Sequence, residues 1–179
     1  MMKKQSTPNR KSIRLKGFSY TGNATYFLTI CCLRRYCLFG NVYSGTMIPN
    51  GFGKIVRSKW FEASRRLHYI KTDEFVVMPN HIHGLIHIES QTISTMADSN
   101  SLGDNPINAN SLLGIFVGSF KSAVTRHINA ERGTPGLSIW QRNYYEHIIR
   151  NDHALDRIRE YIRYNPYNWD RDPDNPRNY

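Results

Sequence analysis

The chain has 179 residues, and its 24 Lys and Arg against 14 Asp and Glu leave a formal net charge of +10. That length fits one domain with a single core, and the charge favours a polyanionic partner such as nucleic acid, the plainer alternative being a soluble basic protein without one. No apolar run approaches the roughly 18 residues of a membrane helix, and the basic start lacks the apolar core of a secretory signal. Cys31, Cys32 and Cys37 are odd in number and two are adjacent, a pattern that suggests neither a disulfide framework nor a paired zinc knuckle. A cytoplasmic protein with reduced packing thiols is the expectation.

Residues 1–16 carry Lys3, Lys4, Arg10, Lys11, Arg14 and Lys16 with no acid, as a flexible basic arm does. A single domain then spans 17–169. Thr25 to Leu33 (TYFLTICCL) is β-branched and aromatic, a buried strand. From Gly51 to Leu67 the apolar Phe52, Ile55, Val56, Trp60 and Ala63 recur at helical spacing, with Lys54, Arg57, Lys59, Arg65 and Arg66 on the exposed side. Glu74 to Met78 reads as a short strand, Pro79-Asn80 as a turn, and His81 to Ile88 as a second strand. Ser90 to Asn110 is polar and aperiodic, which predicts a mobile insertion. Leu112 to Ile128 resumes helical spacing through Phe116, Phe120 and Val124, and Gly133-Thr134-Pro135-Gly136 makes a turn. Ile139 to Ile149 is predicted to be extended. Asn151 can cap a last helix running to about Asn165, where Pro166 stops it, and 170–179 is left as a tail. The order β-α-β-β-α-β-α, with a hairpin in the middle, predicts an α+β fold. It is a ferredoxin-like split βαβ sandwich, with helices packed on an antiparallel sheet.

The penultimate strand candidate, within MPNHIHGLIHI, has a peculiar content. Alternation puts His81, His83, Leu85 and His87 on one face and Ile82, Gly84, Ile86 and Ile88 on the other, so the isoleucines go to the core. Residues two apart on a strand lie about 7 Å apart at Cα, which lets two imidazoles converge on one metal ion. A pair of structural histidines would give the same pattern. In the last helix Arg157, Tyr161 and Asn165 fall at four-residue intervals in one stripe, beside a packing stripe of Leu155, Ile158 and Ile162. Packed on the sheet, that helix can turn its tyrosine toward the histidines, although an amphipathic boundary tyrosine would occupy the same place.

Together VVMPNHIHG, FKSAVT, WQRNYYEHIIRN and REYIRYNPYNW, in that order, resemble the REP-associated tyrosine transposases. These are relatives of the single-tyrosine insertion-sequence transposases in the HUH nuclease superfamily. The resemblance spans Arg14 to Trp169 and leaves the arm and the 90–110 insertion unmatched. It implies a DNA-cleaving and rejoining enzyme that acts on single-stranded DNA near hairpins, as a monomer or homodimer, through a covalent 5′-phosphotyrosine and without ATP. Tyr161 is then the nucleophile on the C-terminal helix, His81 and His83 bind Mg²⁺ or Mn²⁺, and Asn165 is the third ligand, with His87 as a rival. Arg157, Lys121, Arg142 and Arg14 are the basic residues expected to meet phosphate. Tyr164 could support Tyr161, while Tyr144 and Tyr145 read as packing aromatics. A domesticated module that grips structured single strands without cutting is the alternative. A hydrolase using water would need a carboxylate base, for which Glu146 and Glu160 are the candidates.

Overall fold

Strand β1 (Ala24–Cys31) turns Ala24, Tyr26, Leu28 and Ile30 to one face and Thr25, Phe27, Thr29 and Cys31 to the other. The computed structural model describes residues 23–89 and 109–178, so the basic arm with Arg14 and most of the 90–110 segment lie outside the described residues. After β1 come a small hairpin of β2 (Gly40–Tyr43) and β3 (Thr46–Pro49), then α1 (Gly51–Arg66), β4 (Ile70–Val77) and β5 (His81–Ile88). Helix α2 (Ala109–Glu131), β6 (Tyr145–Ile149) and α3 (Asp152–Tyr164) complete the order. Apart from the hairpin, the strands form one antiparallel sheet in the order β4-β5-β1-β6. Each strand–helix–strand unit has another strand between its two parallel members, which is the split βαβ arrangement.

The sheet has two unlike faces. On one, α1 and α2 bury Val56, Trp60, Phe116, Phe120 and Val124 against Leu28, Ile30, Ile82 and Ile86. Trp60 is fully buried and packs on Phe75, Phe116 and Phe120 at centroid distances of 4.6, 4.9 and 5.4 Å. Its ring explains the glycine of the histidine strand: a Cβ on Gly84 would stand 2.5 Å from Trp60 Cζ2. On the other face α3 covers a smaller cluster of Phe27, Leu85, Ile149 and Ile162. Among the described residues no helix is long and apolar enough to cross a membrane.

Several elements differ from expectation, each for a local reason. The hairpin at 40–49 is additional; its Ser44-Gly45 turn has φ of 47° and 75°, the double positive that a two-residue hairpin turn requires. Strand β4 starts at Ile70, because an irregularity between Thr72 and Phe75 breaks the alternation that would reveal its first half. Helix α2 begins at Ala109, inside the segment expected to be an insertion. Of Ile139–Ile149 only Tyr145–Ile149 is strand, and Trp140 makes an isolated bridge to Cys32. Helix α3 is as expected, with the Asn151 side chain accepting from Ala154 N at 2.8 Å, a cap contributing about 1 kcal/mol. Beyond it Trp169, Asp172 and Asn175 are buried, so the segment after α3 packs into the same unit.

Candidate active site

The α3 side of the sheet carries the candidate site. Register places Cys31 opposite His81, Thr29 opposite His83 and Phe27 opposite Leu85, all facing α3. His81 is fully buried, and its Nδ1 lies 2.8 Å from Asn80 Oδ1. Asn80 is oriented by donating Nδ2 to the carbonyls of Arg35 and Asp174 at 3.1 and 2.7 Å, so its Oδ1 can only accept. His81 therefore keeps its proton on Nδ1 and presents a lone pair at Nε2. That nitrogen lies 3.0 Å from His83 Nε2, while His83 Nδ1 meets Thr29 Oγ1 at 2.9 Å and its ring stacks on Phe27.

Burial disfavours the charged form of both rings. It lowers His81 to about 3, helped by the positive charge of Arg35, and it holds His83 well below its ordinary value, helped by His81. Both are neutral at pH 7, the state in which imidazole binds metal. Asp172 completes the cluster: ligand atoms of His81, His83 and Asp172 all lie within 4.8 Å of one another. Its Oδ1 accepts from Asp174 N at 2.6 Å and its Oδ2 from Asn165 Nδ2 at 3.1 Å. Burial raises its carboxyl, opposed by the Asn165 hydrogen bond. The set fits a divalent cation on two counts. Nitrogens 3.0 Å apart match adjacent corners of an octahedron with bonds of about 2.1 Å, and Asn165 Oδ1 is buried with no hydrogen-bond partner among the described residues.

Helix α3 brings the tyrosine to this cluster. Two arginines one turn apart clip it to β4: Arg159 donates to Asp73 Oδ2 at 3.0 and 2.7 Å, and Arg163 Nε donates to Glu74 Oε1 at 2.7 Å. Ile162 is buried beneath, and Tyr161 stands edge-on to Phe27 and His83, with Oη 3.3 Å from His83 Nε2. Burial, with the nearby Asp172, raises its phenol above the ordinary value, and Asn165 works the other way. The tyrosine is still 42% exposed and opens onto a cleft of about 380 Å³ lined also by Arg35, Tyr145 and Asp174. Arg35 and Asp174 form an ion pair at its edge.

No family model matches the chain. An uncharacterized protein of Haemophilus influenzae (strain ATCC 51907 / DSM 11121 / KW20 / Rd) is 37% identical over 167 residues, which cover 92% of this chain and 92% of that protein. The two belong to one family. The solved structure of a REP-associated tyrosine transposase bound to a REP hairpin aligns over 88% of this chain and 73% of its own, with a TM-score of 0.55 and 19% identity. The chain has that transposase fold.

Within the transposase fold, the structure brings together His81, His83, Tyr161 and Asn165, and adds Asp172 to them. His87 is not part of the cluster: Thr25 Oγ1 at 2.7 Å and Asp73 Oδ2 at 3.1 Å hold it beside the Arg159 anchor. Arg157 is exposed one turn before Tyr161. Lys121 points its Nζ at Gln141 O, 2.6 Å away, and so braces backbone. Arg142 is exposed on a neighbouring groove. Tyr164 is exposed, and Tyr144 packs against the main core. Glu146 pairs with Leu28, on the sheet face away from the cluster, and Glu160 is exposed, so neither is placed as a base for water. Asp172 and Asn80 had no readable signal: the first sits among Pro, Asn and Asp residues typical of a tail, the second in a Pro-Asn turn.

Proposed function

We propose that this chain is a transposase-like enzyme that cleaves and rejoins single-stranded DNA beside hairpins, with Tyr161 as nucleophile. The observation carrying this reading is Tyr161 Oη at 3.3 Å from His83 Nε2, on the open edge of a buried His-His-Asp set. The net charge of +10 and the likeness to a transposase bound to a REP hairpin support DNA as the substrate. His81, His83 and Asp172, with Asn165 Oδ1 beside them, would hold Mg²⁺ or Mn²⁺, an arrangement with one acid more than Asn165 alone would supply. Bound there, such a cation neutralises phosphate charge and eases departure of the 3′-oxygen.

The protein's own groups do the rest. Phe27 and His83 fix the tyrosine ring, and the two arginine anchors fix its helix, so the attacking oxygen is held at one position. Oη loses its proton to water in the cleft and bonds to phosphorus, the P–O3′ bond breaks, and the leaving 3′-oxygen takes a proton. The product is a 5′-phosphotyrosine with a free 3′-hydroxyl, and reversal by another 3′-hydroxyl rejoins the strand. Burial raises the phenol, which lowers the fraction of phenolate in the unloaded protein.

Tyr161→Phe tests this, since it keeps the ring and removes the one atom that forms the link. With a labelled hairpin oligonucleotide and Mg²⁺ or Mn²⁺, the parent should give a covalent species on a denaturing gel and Tyr161→Phe none, at similar DNA affinity. Tyr164→Phe should still form it. A species that survives in Tyr161→Phe moves the nucleophile, cleavage without any adduct points to water as the attacking group, and binding without cleavage makes the chain a gripping module.

A further inference from the structure

Beside the tyrosine cleft runs a larger groove of about 820 Å³ between the C-terminal half of α2 and the loop that follows it. Arg126 on the helix and Arg142 on the loop are exposed on its walls, and no Asp or Glu is among the described residues that line it. Its floor is apolar: Leu137 is 55% exposed, and Ile139 and Trp140 are buried below. The Trp140 ring leans on Phe39 and Phe120, yet its Nε1–H is buried with no acceptor among the described residues. Gln141 lines both the groove and the tyrosine cleft, so the two spaces adjoin. The partition between them is residues 141–143, whose carbonyls Lys121 Nζ holds at 2.6 to 3.5 Å.

We infer that this groove carries the single strand flanking the bond broken at Tyr161, with phosphates on Arg126 and Arg142 and bases against Leu137. The inference rests on the reading of the tyrosine cleft as the cutting site. Basic walls over an apolar floor suit an unpaired strand, whose bases are free to leave the stack and cover apolar side chains while its phosphates follow the charges. A duplex keeps its bases inside and offers mainly phosphates to such walls, which would leave the floor uncovered. Lys121 is then a positioning residue for the partition, since its ammonium is spent on backbone carbonyls.

The test uses the full chain in EDTA and a fluorescein-labelled oligothymidylate, which forms no hairpin, with affinity followed by anisotropy over a salt series. Arg126→Ala/Arg142→Ala should weaken binding roughly tenfold and lower the log–log salt slope by about 1.4, two contacts at about 0.7 each. Leu137→Glu should weaken binding too, while Lys54→Ala/Arg65→Ala on α1 should leave the slope near the parent's. An unchanged slope in the groove variant, or an equal drop in the α1 variant, overturns the inference. Adduct formation is read separately. Adduct with no groove effect rejects the groove and keeps the cutting site, whereas a groove effect with no adduct in the parent supports the groove as a single-strand site and rejects the nucleophile.

Discussion

Acid should weaken the metal-free fold through the buried histidines. The folded His81 has its pKa lowered from 6.5 to about 3, so between those values the unfolded chain binds a proton that the folded chain refuses. Its contribution to stability is therefore fully present above about pH 6.5 and is lost as the pH falls toward 3. Moving from pH 7 to pH 5 crosses about 1.5 units of that window, which at about 1.36 kcal/mol per unit is a loss of about 2 kcal/mol. His83 is shifted in the same direction and adds to it, while Asp172, raised by burial, works against it. Urea unfolding in EDTA at the two pH values measures the difference, with an unchanged m-value showing that the folded and unfolded states are the same ones. His81→Gln keeps a donor for Asn80 but cannot take up the proton, so its stability should change less. A stability that is flat or rises on going to pH 5 would refute the argument.

Other expectations follow from single contacts. His81→Ala/His83→Ala should abolish Mn²⁺ binding in calorimetric titration while far-ultraviolet circular dichroism stays native, because both rings face α3 and not the main core; unchanged affinity would remove the site from β5. Arg159→Ala frees one of the two clips on the tyrosine helix, so adduct formation should slow by up to about tenfold at unchanged DNA affinity, as expected for a lost positioning contact. Gly84→Ala pushes a methyl group into the Trp60 ring and should cost about 1–3 kcal/mol by denaturant unfolding, with DNA affinity preserved in the folded fraction.

What could be read in the sequence was whatever depends on neighbours along the chain. The alternation of His81, His83, Leu85 and His87 and the four-residue stripe through Tyr161 and Asn165 are set by backbone period, and both hold in the structure. The cap at Asn151 and the stop before Pro166 are local as well. Contacts made by distant segments were not legible. Asp172 reaches the histidines from 89 residues beyond His83, through a short 3-10 turn at Trp169–Arg171, and no periodicity announces such a turn. The irregularity after Thr72 hides the alternation that would mark Asp73 as facing α3. His87 shows the converse: period alone made it a rival ligand, and a partner on β4 decides otherwise.

The two unlike faces of the sheet bear on how the gene would tolerate random change. Lesions on the α1 and α2 side, such as at Trp60, Phe116 or Ile86, strike the large apolar cluster and should register as lost protein in an abundance screen. Lesions on the α3 side, such as at Asn80, His83 or Tyr161, strike a small cluster and a polar site, and should leave abundant protein that has lost activity. Scoring every substitution for both yield and activity would therefore sort positions by strand face, with odd and even residues of β1 and β5 falling into opposite classes.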